Sequence, residues 1–149
     1  MTWLTCPLES ANHGNNLIMG TVKKNVEKFI SNHRFKFRID IAWSYTPDTT
    51  GMPDEATSEL MERVQDALET AFKKDPVAVL TGVYTGEGVR DLVFYTLSLH
   101  IFQRKFNEIL APFPTLPLSF EAEEDPEWQE YISMLRLAQD ADSENDNED

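Results

Sequence analysis

The chain holds a single cysteine, Cys6. That excludes an internal disulfide framework and a zinc site built on thiolates. Histidine is almost as scarce. His13, His33 and His100 are widely scattered, and none stands four residues from another, the spacing a helical metal site needs. No stretch approaches the roughly 18 consecutive apolar residues of a membrane span. Met1 to Pro7 lacks the charged-then-apolar order of a secretory signal. A cytoplasmic location is expected, and a lone thiol fits a reducing compartment. Positive charge is in short supply too: 13 Lys and Arg face 26 Asp and Glu, a net charge of -13. Such a surface repels phosphate backbones, which argues against nucleic-acid binding.

What is present is the composition of a folded domain. Hydrophobic residues make up 41% of 149, enough to bury a core without metals or disulfides. Residues 1–16, rich in Asn, Ser, Thr and Gly, read as a loose N-terminal arm. Residues 17–137 read as a single α+β domain. Residues 138–149 read as a disordered acidic tail, because Asp140 to Asp149 has only Ala141 to bury against the entropy of ordering. Charge is unevenly placed. Lys23, Lys24, Lys28, Arg34, Lys36 and Arg38 share one stretch, while acids gather at Glu121 to Glu127 and in the tail.

Hydrophobic periodicity orders the rest. Leu17 to Met19 reads as a short strand and Thr21 to Ser31 as a helix. Phe35, Phe37, Ile39, Ile41, Trp43 and Tyr45 alternate with mostly polar residues, which means a strand with one buried face and one expected to meet solvent. Pro53 suits the first turn of a helix reaching Lys74, with Leu60, Val64, Leu68 and Phe72 on its apolar side. Val77 to Tyr84 and Val89 to Leu97 are strands joined by Thr85-Gly86-Glu87-Gly88, whose glycines suit a tight hairpin. Ser98 caps the next helix. Leu116 to Phe120 is a last, edge strand. Asp125-Pro126 opens a helix anchored by Trp128 and Tyr131. From Phe35 onward this order is βαββαβ, a ferredoxin-like antiparallel sheet with strand order 4-1-3-2 and helices on one face. An N-terminal and a C-terminal helix are added to it. Such sheets can stack RNA bases, but this chain lacks the basic, aromatic pattern that does so.

Two stretches carry a resemblance. One is Gly82-Val83-Tyr84-Thr85-Gly86-Glu87-Gly88-Val89-Arg90-Asp91, ending in Phe94-Tyr95. The other is Glu124-Asp125-Pro126-Glu127-Trp128-Gln129-Glu130-Tyr131. Together they resemble the bacterial domain-of-unknown-function family 695, over roughly Phe35 to Leu135. In some relatives that domain is followed by one resembling the RNase E inhibitor of the B type. The resemblance implies a fold and a regulatory role by analogy alone, with no activity to carry over.

Reactive constellations are sparse. Cys6 has no evident base beside it and reads as a free thiol. Gly86 and Gly88 join strands instead of opening a helix, so they do not cradle phosphate. No catalytic residue, metal or cofactor is expected. Arg90, Asp91 and Tyr95 match the family's hairpin and are candidates for a ligand- or partner-facing cluster; a cross-strand ion pair with a half-buried tyrosine is the structural alternative. Glu121, Glu123 and Glu124 are candidates for meeting a protein with a basic surface. The expected role is a non-enzymatic protein-binding or regulatory module. Its rival is an enzyme or small-ligand sensor with a site near the Arg90 hairpin.

Overall fold

Alternating apolar residues need a sheet, and a sheet needs partners for both edges of every inner strand. The computed structural model describes residues 3–9 and 17–146. The chain runs β1 (Trp3–Glu9), β2 (Leu17–Lys23), α1 (Glu27–Ser31), β3 (Phe37–Ser44), α2 (Glu55–Lys74), β4 (Ala78–Gly86), β5 (Val89–Thr96), α3 (Leu99–Leu110), β6 (Leu118–Glu124) and α4 (Gln129–Asp146). The strands form one antiparallel sheet in the order β1-β2-β4-β5-β3-β6.

The four-stranded ferredoxin-like sheet expected from the sequence is therefore not what the chain builds, since β1 and β2 extend it to six strands. The loose arm expected for residues 1–16 is corrected in the same way: residues 3–9 are β1, paired with β2 from Trp3 opposite Lys23 to Glu9 opposite Leu17. Residues 10–16 of that arm lie outside the described residues. Pro7 sits within β1 opposite Met19, and an edge strand tolerates its missing N–H. The helix expected over Thr21 to Ser31 shrinks to α1. Thr21 and Val22 favour a strand, and Asn25 takes φ 63°, which a helix cannot continue through. The tail expected at 138–149 is helical through Asp146, with residues 147–149 outside the described residues.

Local chemistry sets the remaining boundaries. Asp54, not Pro53, starts α2: its carboxylate accepts from the Thr57 N–H at 2.8 Å. Ser98 caps α3 through the Ile101 N–H. The β4–β5 hairpin closes at the Gly86–Val89 pair, leaving Glu87 and Gly88 as a two-residue loop, both at positive φ.

α2 and α3 share one face of the sheet, as expected, and the added N-terminal and C-terminal helices cover the other. On the first, Met61, Val64, Leu68 and Phe72 of α2 and Phe102 and Phe106 of α3 pack on Ile39, Ile41, Trp43, Leu80 and Phe94. On the second, Trp128 with Tyr131 and Ala138 of α4 covers Cys6, Val22, Val79, Val93 and Tyr95, and Phe29 and Ile30 of α1 pack beside them. The polar side of β3 was expected to meet solvent; Arg38, Asp40 and Ala42 on it are instead half-buried, and only Ser44 is exposed. The ring of Tyr84 lies across Gly20, where a Cβ would sit 2.8 Å from that ring and from the Cys6 carbonyl, so β2 needs glycine there. Among the described residues, no helix is long and apolar enough to cross a membrane.

Candidate functional site

Consecutive residues of a strand point to opposite faces, and this separates the hairpin candidates. Arg90 stands on the α2 face, where its guanidinium donates to Gln65 at 2.7 Å and to Thr85 at 3.4 Å. Burial lowers its pKa, an effect that Glu62 and Tyr45 only partly oppose. Asp91 and Tyr95 face α4. Arg90 thus neither pairs with Asp91 nor joins the Glu121–Glu127 acids, and the geometry gives no composite site of the kind an enzyme built on them would need. Cys6 is 2% exposed and its thiol is pushed up by burial, so it is a poor nucleophile. Among the described residues, no three His, Cys, Asp or Glu converge to hold a metal ion.

Tyr95 belongs to a structural knot. Its hydroxyl donates to Asp125 at 2.6 Å and accepts from the Tyr131 N–H at 3.3 Å. Its ring stacks on Trp128 at 4.0 Å, and the Trp128 indole N–H donates to the Phe35 carbonyl at 2.8 Å. Asp125 also accepts from the Gln129 and Glu130 N–H groups and lies 3.6 Å from Arg38. Burial would raise this carboxyl, but those hydrogen bonds, with the Arg38 charge, outweigh it and hold the group below its ordinary range. Asp125 therefore caps α4 from four residues upstream, with Pro126 and Glu127 in a turn, not from the position next to the helix.

Beside this knot lies an acid that sequence reasoning missed. Glu130 is half-buried against the sheet, and desolvation first, then Asp40 and Asp125, push its pKa up to about 7 despite the nearby Arg38. Asp91 is raised as well, by burial and by Asp40. Between the ordinary glutamate range and about pH 7 the folded chain holds a proton on Glu130 that the unfolded chain has released. Stability from this group therefore falls as pH rises through that window. Glu130→Gln is expected to stabilise the fold at about pH 8 by roughly 1–2 kcal/mol, discounted for partial exposure, with the gain vanishing near pH 4.5. Urea denaturation at both pH values measures it, and an equal gain at both would refute the titration of Glu130 in this window.

The most accessible unmet valence is at β6. One side of this strand pairs with β3, while the other carries no strand among the described residues. From Ser119 to Glu124 every residue is exposed, and Phe120 is 53% exposed. Beside Phe120, on the α3 face, a groove of about 340 Å³ runs between β6 and α3, lined by Ile39, Leu99, Phe102, Phe106 and Ala122. It continues into a second hollow of about 370 Å³ past Leu110, Phe113 and Leu118. The twelve-residue α3 meets β6 where the Phe106 ring packs edge-on against Phe120 at 5.5 Å, and it still leaves Phe120 and Ala122 exposed. On the opposite face of β6, Glu121 stands opposite Asp40 and Glu123 opposite Arg38, whose guanidinium reaches the Glu123 carboxylate at 3.1 Å. Glu124 ends the strand opposite Phe37 and is also exposed. The three glutamates thus share one strand, while Arg90, Asp91 and Tyr95 lie elsewhere.

Residues 10–136 match the family described as "Family of unknown function (DUF695)". No curated protein and no solved structure matches the chain.

Proposed function

We infer the function of this chain, which belongs to the DUF695 family, from its open sheet edge: it is a protein-binding module that takes an extended, basic segment of a partner along β6. The observation that carries this reading is one strand with three recognition elements. Its free edge offers backbone N–H and C=O groups to a seventh strand, the mode known as strand addition. Its α3 face offers the groove at Phe120 to every second side chain of the guest. Its other face offers Glu121 and Glu123 to the residues between. The guest is therefore a strand alternating apolar with Lys or Arg. A second copy of β6 fits poorly, because self-pairing would set glutamates opposite glutamates. The same charges keep an exposed edge from indiscriminate aggregation.

In this reading β3 to β6 with α2 and α3 act as a ferredoxin-like unit that β1, β2 and α4 enlarge, and the protein works in the cytoplasm. The buried lone thiol of Cys6 is in keeping with that compartment.

The test is fluorescence anisotropy with a labelled peptide that alternates valine and lysine, against a scrambled peptide of the same composition and one with glutamate for lysine. The alternating peptide is expected to bind, and its association to slow as salt rises to roughly 0.15 M, where the Debye length is about 8 Å. Phe120→Asp and the double change Glu121→Lys, Glu123→Lys should each weaken binding about tenfold or more, with melting temperatures showing that the fold survives. Equal binding of all three peptides, or binding indifferent to these changes, would remove β6 as the site.

A further inference from the structure

The sequence's one cationic stretch has no part in the β6 reading, and the fold gives it a different place. β2 ends at Lys23, α1 begins just after, and the C-terminus of α2 comes alongside. Between them is a pocket of about 280 Å³, near the lower limit for small-molecule sites. Phe29, Phe72 and Pro76 give it apolar walls, and Lys23, Lys28 and Lys73 its charge.

Lys23 is the unusual member. It is only 3% exposed, and an ammonium is costly to bury unless it is well compensated. It carries three donors, yet among the described residues its ion-pair partner is one Glu69 oxygen at 3.4 Å. The face of Trp3, 4.9 Å away, supplies the rest of its described compensation. Burial lowers its pKa against the pull of Glu69. Lys28 holds its ammonium 5.2 Å from the Phe29 ring, at the pocket wall. Among the described residues neither Lys28 nor Lys73 has a salt-bridge partner. Three lysines against Glu69 leave an excess of positive charge in a molecule of net charge -13.

We propose that this pocket binds a small organic carboxylate with a flat apolar body, the body against Phe29 and Phe72 and the carboxylate among Lys23, Lys28 and Lys73. A doubly charged phosphate is a worse fit. Lys73 lies in the last turn of α2, whose dipole presents its negative end there and opposes a double charge more than a single one. A neutral ligand would leave the lysine excess unanswered. The site lies away from β6 and stands or falls independently of peptide binding.

The experiment is an NMR titration of the isotope-labelled protein with benzoate, phenyl phosphate and benzyl alcohol at matched ionic strength and millimolar concentration. Benzoate is expected to shift the resonances of Lys23, Lys28, Phe29 and Lys73 in a saturable way, phenyl phosphate to bind more weakly, and benzyl alcohol not to bind. The double change Lys28→Gln, Lys73→Gln alters exposed side chains only, and should weaken benzoate about tenfold while leaving the melting temperature unchanged. Lys23→Met, checked for folding by the same spectra, should do likewise. Absence of shifts with benzoate, shifts confined to the Phe120 groove, undiminished binding in the double variant, or tighter binding of phenyl phosphate than of benzoate would each overturn the assignment.

Discussion

Trp128→Ala is expected to destabilise the fold by about 3–5 kcal/mol, the range for removing a large aromatic side chain from a core. Trp128 is 1% exposed. The substitution removes the stack on Tyr95 and the edge contact with Tyr131 at 5.6 Å. It also strips the Phe35 carbonyl of the indole N–H, and an orphaned buried acceptor costs about 1–3 kcal/mol within that total. Trp128 sits at φ 55°, a conformation alanine takes no more readily, so no backbone strain is relieved. Trp128→Phe keeps an aromatic ring and loses the N–H, and should fall at roughly half the cost. Urea denaturation monitored by circular dichroism gives both values. A loss below about 1 kcal/mol for alanine would mean that α4 is not fastened to the sheet through this ring.

Phe94→Ala should cost a similar amount, about 3–5 kcal/mol, on the other side of the sheet. Phe94 is fully buried and meets Phe72 at 5.8 Å and Phe102 at 5.1 Å, so its removal opens a cavity between α2, α3 and the sheet at once. Tyr95, its neighbour in β5, belongs to the opposite core. One strand thus feeds both cores, and the two should melt together. Calorimetry of Phe94→Ala is expected to show a single transition about 10 °C lower. Two separated transitions would show that the faces unfold independently and that β5 does not couple them.

Much of this was legible in residues. Six alternating apolar positions from Phe35 to Tyr45 announced β3, Gly86 and Gly88 announced the hairpin, and the four-residue spacing from Leu60 to Phe72 announced α2. Trp128 was legible as an anchor from its place after Asp125-Pro126. Strand β1 was not, because Thr5 and Pro7 look like loop and only pairing with β2 makes Leu4 and Cys6 a buried row. Strand β6 was placed at Leu116 to Phe120 and lies at Leu118 to Glu124, because an edge strand can afford glutamates that composition assigns to a loop. The opposite facing of Arg90 and Asp91 follows from strand periodicity alone. The lysine pocket was beyond reach, since β2, α1, α2 and β4 contribute to it from positions far apart in the chain. Glu130 was equally hidden: its shift arises first from burial against the sheet and then from Asp40, and sequence alone does not place that strand beneath it.

The position of α4 bears on how the chain is made. Tyr131 donates to the Lys23 carbonyl across 108 residues, and α4 lies over β1 and β2, which are synthesised well before it. At about 5–20 residues per second, the N-terminal hairpin waits roughly 5–20 s for the helix that covers Val22 and Cys6. During that interval an apolar row is open to any passing strand or chaperone. A long-range closure of this kind slows folding and makes it depend on the final helix, so a stalled or shortened chain lacking α4 should enter cellular quality control even with every strand of the sheet present.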